Sequence, residues 1–308
     1  MRKHRFLSAC LFVCALAVCV PRCEAAESAT TRPTTRPDMS PVVMVGSLIR
    51  WDVPYVTGGS DMQKLDIYAP PAARGAPILL FVHGGEWAKG DKSEISFKPK
   101  FLNEQGIVFI SMNYRLSGTD RHPAQVNDIA SALKWIREHA PEFGGDPARI
   151  VLMGHSAGCH MVTLVGLDPR PLATVGLKPS DLKGVVSWSG GAFDLVDKVG
   201  SGGMYATYIR LNFGEDPAAW RDASPIAHVG DAAPFPRFLF ASAADGNSAS
   251  REISDKMAAL VRAKGGDARS LLLVGKSHQA ANHEIGMQGD ITGPELVRFI
   301  RVVCGRDR

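Results

Sequence analysis

The chain has 308 residues, of which 45% are hydrophobic, and this is enough apolar sequence to bury one large core. The formal net charge of +4 overstates the charge of the folded part, because Arg2, Lys3, Arg5 and Arg22 in the first 25 residues outweigh Glu24. Beyond that segment the chain is nearly neutral and contains no basic run. The composition therefore excludes nucleic acid and anionic membrane surfaces as expected partners.

The first 25 residues have the pattern of a secretory signal peptide. Residues 1–5 are basic, residues 6–20 are apolar, and Cys23-Glu24-Ala25 places small residues three and one before a cleavage site. The apolar run is short for a membrane span, so we expect cleavage near Ala25 and no stable membrane insertion afterwards. The predicted location is periplasmic or secreted. Lipidation at Cys19 is the weaker alternative, since Val18 stands where a small residue is needed.

A Thr- and Pro-rich stretch, residues 26–41, follows the predicted signal peptide and contains almost no large apolar side chain. We predict that it is a disordered linker to a single domain, residues 42–308. Only two of the six cysteines, Cys159 and Cys304, lie in that domain, both in predicted helices. We therefore expect free buried thiols rather than a disulfide, and the cysteines lack the spacing of metal ligands.

Apolar runs and helical periodicities alternate along the predicted domain. Residues 49–55 and 63–68 flank a Gly-Gly-Ser turn and predict a β-hairpin. Continuous apolar runs, typical of strands buried on both faces of a parallel sheet, occupy residues 78–82, 108–112, 150–153, 185–188, 238–243 and 270–274. Apolar residues at helical spacing predict helices at 123–139, 248–264 and 294–303. This alternation predicts an α/β fold, a mostly parallel doubly wound sheet with helices on both faces and ligands at the carboxyl ends of the strands.

The strand at 150–153 runs into Gly154-His155-Ser156-Ala157-Gly158, a G-x-S-x-G sequence followed by small residues that are compatible with a helix. This pattern predicts a sharp strand-to-helix turn that presents a serine hydroxyl at the edge of the sheet. The two glycines would let the strand and helix backbones approach closely. A five-residue pattern of this kind can occur by chance in a chain of this length. Its assignment as a nucleophile turn therefore depends on the strand before it, the helix after it and the other predicted site residues.

A serine hydroxyl is a weak nucleophile until a base removes its proton and a third group orients that base. Asp245 and His278 each follow a later predicted strand, in the order serine, acid, histidine that suits this fold. We therefore predict that Ser156, Asp245 and His278 form a catalytic triad. Asp194 is the alternative acid, although the segment that follows it resembles a lid, and His283 is the alternative base, although it lies farther from its strand.

A tetrahedral intermediate needs backbone N–H groups where its negatively charged oxygen forms. Ala157 begins the predicted helix after the serine, and Gly84 and Gly85 directly follow an apolar strand. We predict that these three amides form an oxyanion hole, the alternative being a glycine turn that binds no ligand. His155 and His160 flank the serine and are interpreted as packing histidines.

These features together resemble the α/β-hydrolase superfamily, and more narrowly its esterase and lipase group with an HGG-x-W oxyanion motif. The matching stretches are His83-Gly84-Gly85-Glu86-Trp87, Asn113-Tyr114-Arg115-Leu116, His122-Pro123-Ala124-Gln125, Gly144-Gly145-Asp146-Pro147 and the serine pentapeptide. The resemblance covers residues 48 to 303. It implies hydrolysis of small-molecule or polysaccharide-linked carboxylic esters through an acyl-enzyme, with no cofactor and no metal.

Two features leave the substrate open. Glu86 stands where relatives often have glycine or an aromatic residue, so the resemblance does not extend to long-chain lipids. The stretch Leu167-Asp168-Pro169-Arg170 is also similar to kynurenine formamidase-like members, which cleave an N-formyl amide. A non-catalytic binding module on the same fold is the third hypothesis.

Residues 167–183 and 192–225 are predicted to be irregular and to form a small lid. The second stretch is rich in aromatic residues, which are open to two interpretations, an apolar binding wall or local packing. These aromatic residues are Phe193, Tyr205, Tyr208, Phe213 and Trp220.

Overall fold

The computed structural model describes residues 45–231, 234–244 and 248–305. The chain divides into two units, Met1–Pro37 and Asp38–Arg308, of which the second is compact and contains every described residue. The predicted signal peptide and linker, residues 1–25 and 26–41, lie outside the described residues, and both stay predictions.

Eight strands form one sheet. They are β1 (Leu48–Pro54), β2 (Lys64–Ala69), β3 (Ala76–Val82), β4 (Val108–Met112), β5 (Gly145–His155), β6 (Gly184–Trp188), β7 (Arg237–Ala243) and β8 (Ala268–Leu273). Their order across the sheet is β1-β2-β4-β3-β5-β6-β7-β8. β2 pairs antiparallel with β1 and β4, and all other neighbours are parallel. The predicted hairpin and the mostly parallel sheet are confirmed.

Helices cover both faces of this sheet. The described residues contain α1 (Lys98–Glu104), α2 (Ala124–His139), α3 (Ala157–Leu167), α4 (Pro169–Ala173), α5 (Leu195–Gly200), α6 (Gly203–Phe213), α7 (Pro217–Asp222), α8 (Ser248–Ala263), α9 (His278–His283) and α10 (Gly293–Cys304). Short 3-10 helices occupy Ala140–Phe143, Pro179–Asp181 and Pro225–His228. None of the helices in the described part of the chain has the length and apolar character needed to cross a bilayer.

The continuous apolar runs arise because the central strands are buried on both sides. In β3, Ile78 and Leu80 pack into one core with α2, α3 and α8, whereas Leu79 and Phe81 pack into a second core with α1 and α10. Successive side chains of a strand point to opposite faces, so both faces of this strand must be apolar. The two cores hold the carboxyl ends of the six parallel strands in fixed register.

The prediction that residues 167–183 and 192–225 are irregular is wrong. They contain α4 in the first stretch and α5, α6 and α7 in the second. Glycines end these helices early, since α5 stops at Gly200 and α6 is flanked by Gly202 and Gly214, both at positive φ. Segments this short show too few turns for a helical period to be recognised in the sequence.

The two cysteines of the described residues are free thiols, as predicted. Cys159 is fully buried in α3, and burial raises the pKa of its thiol to about 12. Cys304 is only half-buried at the end of α10. A protonated buried thiol packs as a small apolar side chain.

Candidate active site

Ser156 occupies a tight turn between a strand and a helix. β5 ends at His155, α3 begins at Ala157, and Ser156 between them has φ 56° and ψ −117°. A positive φ is uncommon for a residue with a side chain and marks a conformation that the surroundings impose. This is the geometry that the G-x-S-x-G pattern predicts.

The glycines of the pentapeptide are required by close backbone contacts. A Cβ atom on Gly154 would stand 2.2 Å from the carbonyl oxygen of Gly158. A Cβ atom on Gly158 would stand 2.3 Å from the carbonyl oxygen of Val82 in β3. Neither position tolerates a side chain, so the two glycines let the strand and the helix pack against each other and hold Ser156 in its turn.

Ser156 and His278 line the same cavity, whose volume is about 470 Å³. It opens at the carboxyl ends of β3, β5, β6, β7 and β8, which is where an α/β sheet places its ligands. The other lining residues are Glu86, Ser189, Gly190, Gly191, Ala192, Lys198, Ser201, Gly202, Tyr205, Ala243 and Ser250. A larger groove of about 930 Å³ between α1 and α10 contains none of the predicted site residues.

His278 is held at the first position of α9 by contacts on both its ring and its backbone. Its Nδ1 atom lies 3.0 Å from Oγ of Ser189. Its carbonyl oxygen accepts a hydrogen bond from Nε2 of His155 at 3.0 Å. Ser277 caps the helix, its Oγ accepting from the backbone N–H of Ala280 at 3.2 Å. These contacts leave the imidazole half-buried at the cavity wall.

The other predicted acid and base candidates fall in different places. Asp245 lies outside the described residues, so its membership of the triad stays a prediction. Asp194 caps α5, accepting from the N–H of Asp197 at 3.1 Å, and does not line the cavity. His283 is exposed at the far end of α9, with Nδ1 3.2 Å from Oγ of Ser96.

The glycine pair after β3 is packed against the serine turn. A Cβ atom on Gly84 would lie 2.8 Å from Cβ of Ser156, so the loop backbone touches the serine directly. Gly85 has φ 108°, and a Cβ atom there would stand 2.1 Å from the carbonyl oxygen of Lys89. Both positions therefore require glycine, for close approach at Gly84 and for backbone conformation at Gly85.

The peptide between Gly84 and Gly85 has a fixed orientation. The Gly84 carbonyl oxygen accepts from Nδ1 of His83 at 2.7 Å, and the hydroxyl of Tyr114 is shared between the carbonyl oxygens of His83 at 3.1 Å and Gly84 at 3.2 Å. Burial raises the pKa of Tyr114 and lowers the pKa of His83 to about 4, so both groups are neutral. In a trans peptide the N–H points opposite to the C=O. The Gly85 N–H consequently points away from Tyr114.

Tyr114 belongs to a stretch whose role sequence reasoning missed. The neighbouring Asn113 donates to Asp91 Oδ2 at 2.9 Å and accepts from the Lys92 N–H at 2.6 Å. Asn113 and Tyr114 follow β4, the strand beside β3. Tyr114 bonds to the start of the loop that contains Gly84 and Gly85, and Asn113 bonds to its end. The Asn-Tyr-Arg-Leu stretch was the available signal, but its contacts depend on the pairing of β3 with β4.

Replacing Tyr114 by phenylalanine should weaken catalysis without unfolding the protein. We expect kcat/KM for an aryl ester to fall about tenfold and the free energy of unfolding to fall by about 1 kcal/mol, the value of one lost hydrogen bond. Steady-state kinetics and urea unfolding measure the two effects. Tyr55→Phe is the matched control, since its hydroxyl donates to the Asn113 carbonyl at 2.8 Å and does not touch Gly84. Equal losses in kcat/KM for both variants would contradict the assignment.

The two histidines that flank the serine have structural partners. His160 is fully buried, its Nδ1 accepting from Nε1 of Trp87 at 3.2 Å and its Nε2 donating to the Ala223 carbonyl at 2.8 Å. Because an indole N–H only donates, the proton of His160 must sit on Nε2. Burial lowers the pKa values of His155 and His160 to about 3, so both are neutral packing groups.

Acid should destabilise the fold through its buried histidines. Burial lowers the pKa values of His83 and His122 to about 4 and those of His155 and His160 to about 3. Each gains a proton on unfolding once the pH is below about 6.5, the ordinary histidine pKa. The stability is therefore complete above pH 6.5 and is lost as the pH falls toward the folded pKa, by about 1.4 kcal/mol per pH unit for each histidine.

Urea unfolding between pH 7 and pH 4.5 measures this loss. His160→Gln keeps an amide that can accept and donate but removes one titrating group, so we expect its stability to fall less steeply with acid than that of the wild type. Identical slopes for the two proteins would show that His160 does not take up a proton on unfolding.

The described lining of the cavity is mainly polar, so the structure does not support the apolar binding wall, which was one of the two interpretations of the aromatic stretch. Phe193, Phe213 and Trp220 are buried in the core, and Tyr208 does not line the cavity either. Only Tyr205 of the five aromatic residues lines it. Local packing is therefore the correct interpretation for Phe193, Phe213 and Trp220, which are buried, whereas Tyr208 is half-buried against the core.

Glu86, which directly follows Gly84 and Gly85 in the loop after β3 (the glycine loop), lines the same cavity. Its backbone has φ 50°, and its carboxylate lies 2.9 Å from Nζ of the exposed Lys89. Lys198 of α5 also lines the cavity. With serines and glycines between these charged groups, the cavity suits a small or hydroxylated ligand. Among the described residues no cluster of three or more histidine, cysteine or carboxylate groups could hold a metal ion.

Comparison with known proteins gives consistent matches. Residues 65–258 match the family model described as BD-FAE. The chain is 28% identical to the esterase LipQ of Mycobacterium tuberculosis, over 83% of this chain and 62% of that protein. It is 30% identical to a probable isoprenylcysteine alpha-carbonyl methylesterase, ICMEL1, of Arabidopsis thaliana, over 82% of this chain and 56% of that protein. The chain thus spans little more than half the length of these curated relatives.

A solved structure described as a truncated carbohydrate esterase from gut microbiota superposes with a TM-score of 0.70. The match covers 87% of this chain and 99% of that one at 19% sequence identity. At this identity the likeness concerns the fold, which is that of the α/β-hydrolases.

Proposed function

The chain belongs to the BD-FAE family, and from this membership and the geometry of the cavity we propose that it is a serine hydrolase of carboxylic esters. The observation that carries the proposal is the left-handed Ser156, which shares a cavity with His278 and touches Gly84 of the loop after β3. A nucleophile, a base and backbone donors are the three parts that acyl transfer requires.

The proposed reaction proceeds in two halves. His278 takes the hydroxyl proton of Ser156, and the serine oxygen attacks the ester carbonyl carbon. The resulting oxyanion is stabilised by the N–H groups of Gly84, Gly85 and Ala157. When the intermediate collapses, the bond to the alcohol oxygen breaks and His278 returns the proton to that oxygen. Water then attacks the acyl-enzyme by the same route and releases the acid.

The donors follow from the fold. The first N–H groups of a helix have no acceptor within the helix, and the Ala157 amide begins α3 directly after the nucleophile. The Gly85 N–H is turned away from Tyr114 by the fixed Gly84 carbonyl. Asp245 is the proposed acid that orients His278, an assignment supported by its position after β7 and by the chain order of the three residues.

We propose a short acyl group on a hydroxylated alcohol, such as a carbohydrate, as the substrate. Among the described residues, the cavity wall consists mainly of serines, glycines and the charged Glu86 and Lys198, and none of its described members is leucine, isoleucine, valine or phenylalanine. A long acyl chain would have to bury apolar surface against polar groups and strip them of water. The basic, apolar and small-residue pattern at the N-terminus further supports a substrate outside the cytoplasm.

A substrate panel tests this proposal. The full-length protein is assayed with p-nitrophenyl acetate, butyrate and octanoate, with acetylated xylan and with N-formylkynurenine. We expect the acetate to exceed the octanoate in kcat/KM by about tenfold or more and acetate to be released from the polysaccharide. Preference for octanoate would contradict the proposal that the polar cavity binds the acyl group. Cleavage of N-formylkynurenine alone would mean that the substrate is an amide rather than an ester.

A further inference from the structure

Ser189 lies beside the nucleophile at the end of the neighbouring strand. β5 and β6 run parallel with His155 opposite Trp188, so the next residue of each strand, Ser156 or Ser189, stands at the same level of the sheet. The N–H of Ser189 donates to the carbonyl of Ala241 in β7 at 2.8 Å and extends the ladder by one residue. Its backbone is therefore fixed on the side of β7.

The backbone of Ser189, like that of Ser156, has a positive φ. Its φ is 60°, a left-handed conformation that glycine adopts far more readily than serine. The following Gly190 packs against the serine turn, where a Cβ atom would lie 2.9 Å from the Ser156 carbonyl oxygen. The sequence thus keeps a side chain at a position where glycine would be easier to accommodate.

The hydroxyl of this side chain meets the imidazole of His278. Its Oγ lies 3.0 Å from Nδ1, and Ser189 is only 3% exposed. If the proton is on Nδ1, the serine oxygen accepts it and the Nε2 lone pair is available as a base. If the proton were on Nε2, that nitrogen could not take a proton from Ser156.

We propose, on the basis of the ester hydrolase function above, that Ser189 is a positioning residue whose hydroxyl oxygen shares the Nδ1–H of His278 with Asp245, the acid proposed above. The bond holds the ring at the cavity wall and keeps its proton on Nδ1. When His278 takes the proton of Ser156, the ring becomes a cation and the bond to Ser189 becomes charge-assisted and stronger. An interaction that strengthens on the way to the transition state raises kcat rather than the affinity for substrate.

Two substitutions separate this role from a structural one. Ser189→Ala and Ser189→Gly both remove the hydroxyl, but glycine also relieves the left-handed backbone. We expect kcat for p-nitrophenyl acetate to fall about tenfold in both variants, with KM changed less than about twofold. The unfolding midpoint of the glycine variant should equal or exceed that of the alanine variant. If the serine were merely structural, the activity of each variant would follow its stability, and the glycine variant would regain the activity that the alanine variant loses.

Ser254→Ala is the matched control. Ser254 is also a buried serine, whose hydroxyl donates to the Ser250 carbonyl at 2.8 Å within α8, and it does not itself line the cavity. We expect it to lower stability by a similar amount and to keep the wild-type kcat. Wild-type kcat in both Ser189 variants would overturn the proposal, as would a rise in KM at constant kcat.

A separate variant tests the ester hydrolase function on which this inference rests. Ser156→Ala is assayed in the same series, and hydrolysis that persists in this variant means that the ester hydrolase assignment fails and the role of Ser189 with it. Hydrolysis that depends on Ser156 but not on the Ser189 hydroxyl overturns only the inference about Ser189.

Discussion

Ser156→Ala is expected to lower kcat for p-nitrophenyl acetate by about 10⁴- to 10⁶-fold. Alanine has no oxygen to attack the carbonyl, so no acyl-enzyme forms, and only the backbone donors and the binding of substrate still assist attack by water. The change removes one atom from a half-buried side chain, so the fold should persist. Initial rates with the purified variant, corrected for spontaneous hydrolysis, measure the loss.

The control for this variant is its stability. Since the alanine retains the positive φ of Ser156, we expect the free energy of unfolding to change by no more than about 1 kcal/mol. A folded Ser156→Ala protein whose rate lies within tenfold of the wild type would contradict the assignment of the nucleophile.

His278→Gln is expected to lower kcat by about 10⁴-fold, because glutamine can fill the space of the ring but cannot take up and return a proton. α9 carries a second histidine, His283, which supplies a matched control on the same six-residue helix. His283 is exposed and lies 3.2 Å from Ser96 rather than at the cavity. Its glutamine variant should retain the wild-type kcat.

Comparing the two glutamine variants decides between the two bases that the sequence leaves open. Both substitutions are conservative in size and both lie on α9, so a general effect on that helix would appear in each. The reverse order, with His283→Gln inactive and His278→Gln active, would mean that the base is misassigned and that α9 moves when substrate binds.

The features of this fold that local sequence determines were predictable. The strands of the central sheet are buried on both faces, and a run such as Ile78–Val82 in β3 must then be apolar throughout. The turn at Ser156 was also predictable. Only glycine fits at positions 154 and 158, where β5, α3 and β3 come into close contact. In both cases the residues that determine the structure lie within one short segment of the sequence.

Features that depend on distant segments were not predictable. Phe213 belongs to the aromatic stretch that the sequence left open between a binding wall and local packing, and its ring centroid lies 5.3 Å from the ring centroids of both Trp87 and His160. Those partners come from the glycine loop and from α3, and nothing within residues 192–225 indicates them. The same segment breaks into helices too short to have a recognisable period.

The candidate site shows the same division. Gly84, Gly85, Ser156 and His278 follow strands at one edge of the sheet, and their approximate placement followed from motif and chain order. Ser189 carries no motif, since a serine after a strand is an ordinary residue. Its contact with His278 arises only from the register of β5 with β6 and from the position of α9 beyond β8.

The identity of the nucleophile is the central claim, and covalent labelling tests it most directly. The full-length protein is treated with a fluorophosphonate probe, digested and mapped by mass spectrometry. We predict a single adduct on Ser156, formed in proportion to the loss of p-nitrophenyl acetate hydrolysis. An adduct on another serine, such as the neighbouring Ser189, or hydrolysis that continues in protein labelled at Ser156, would contradict the account.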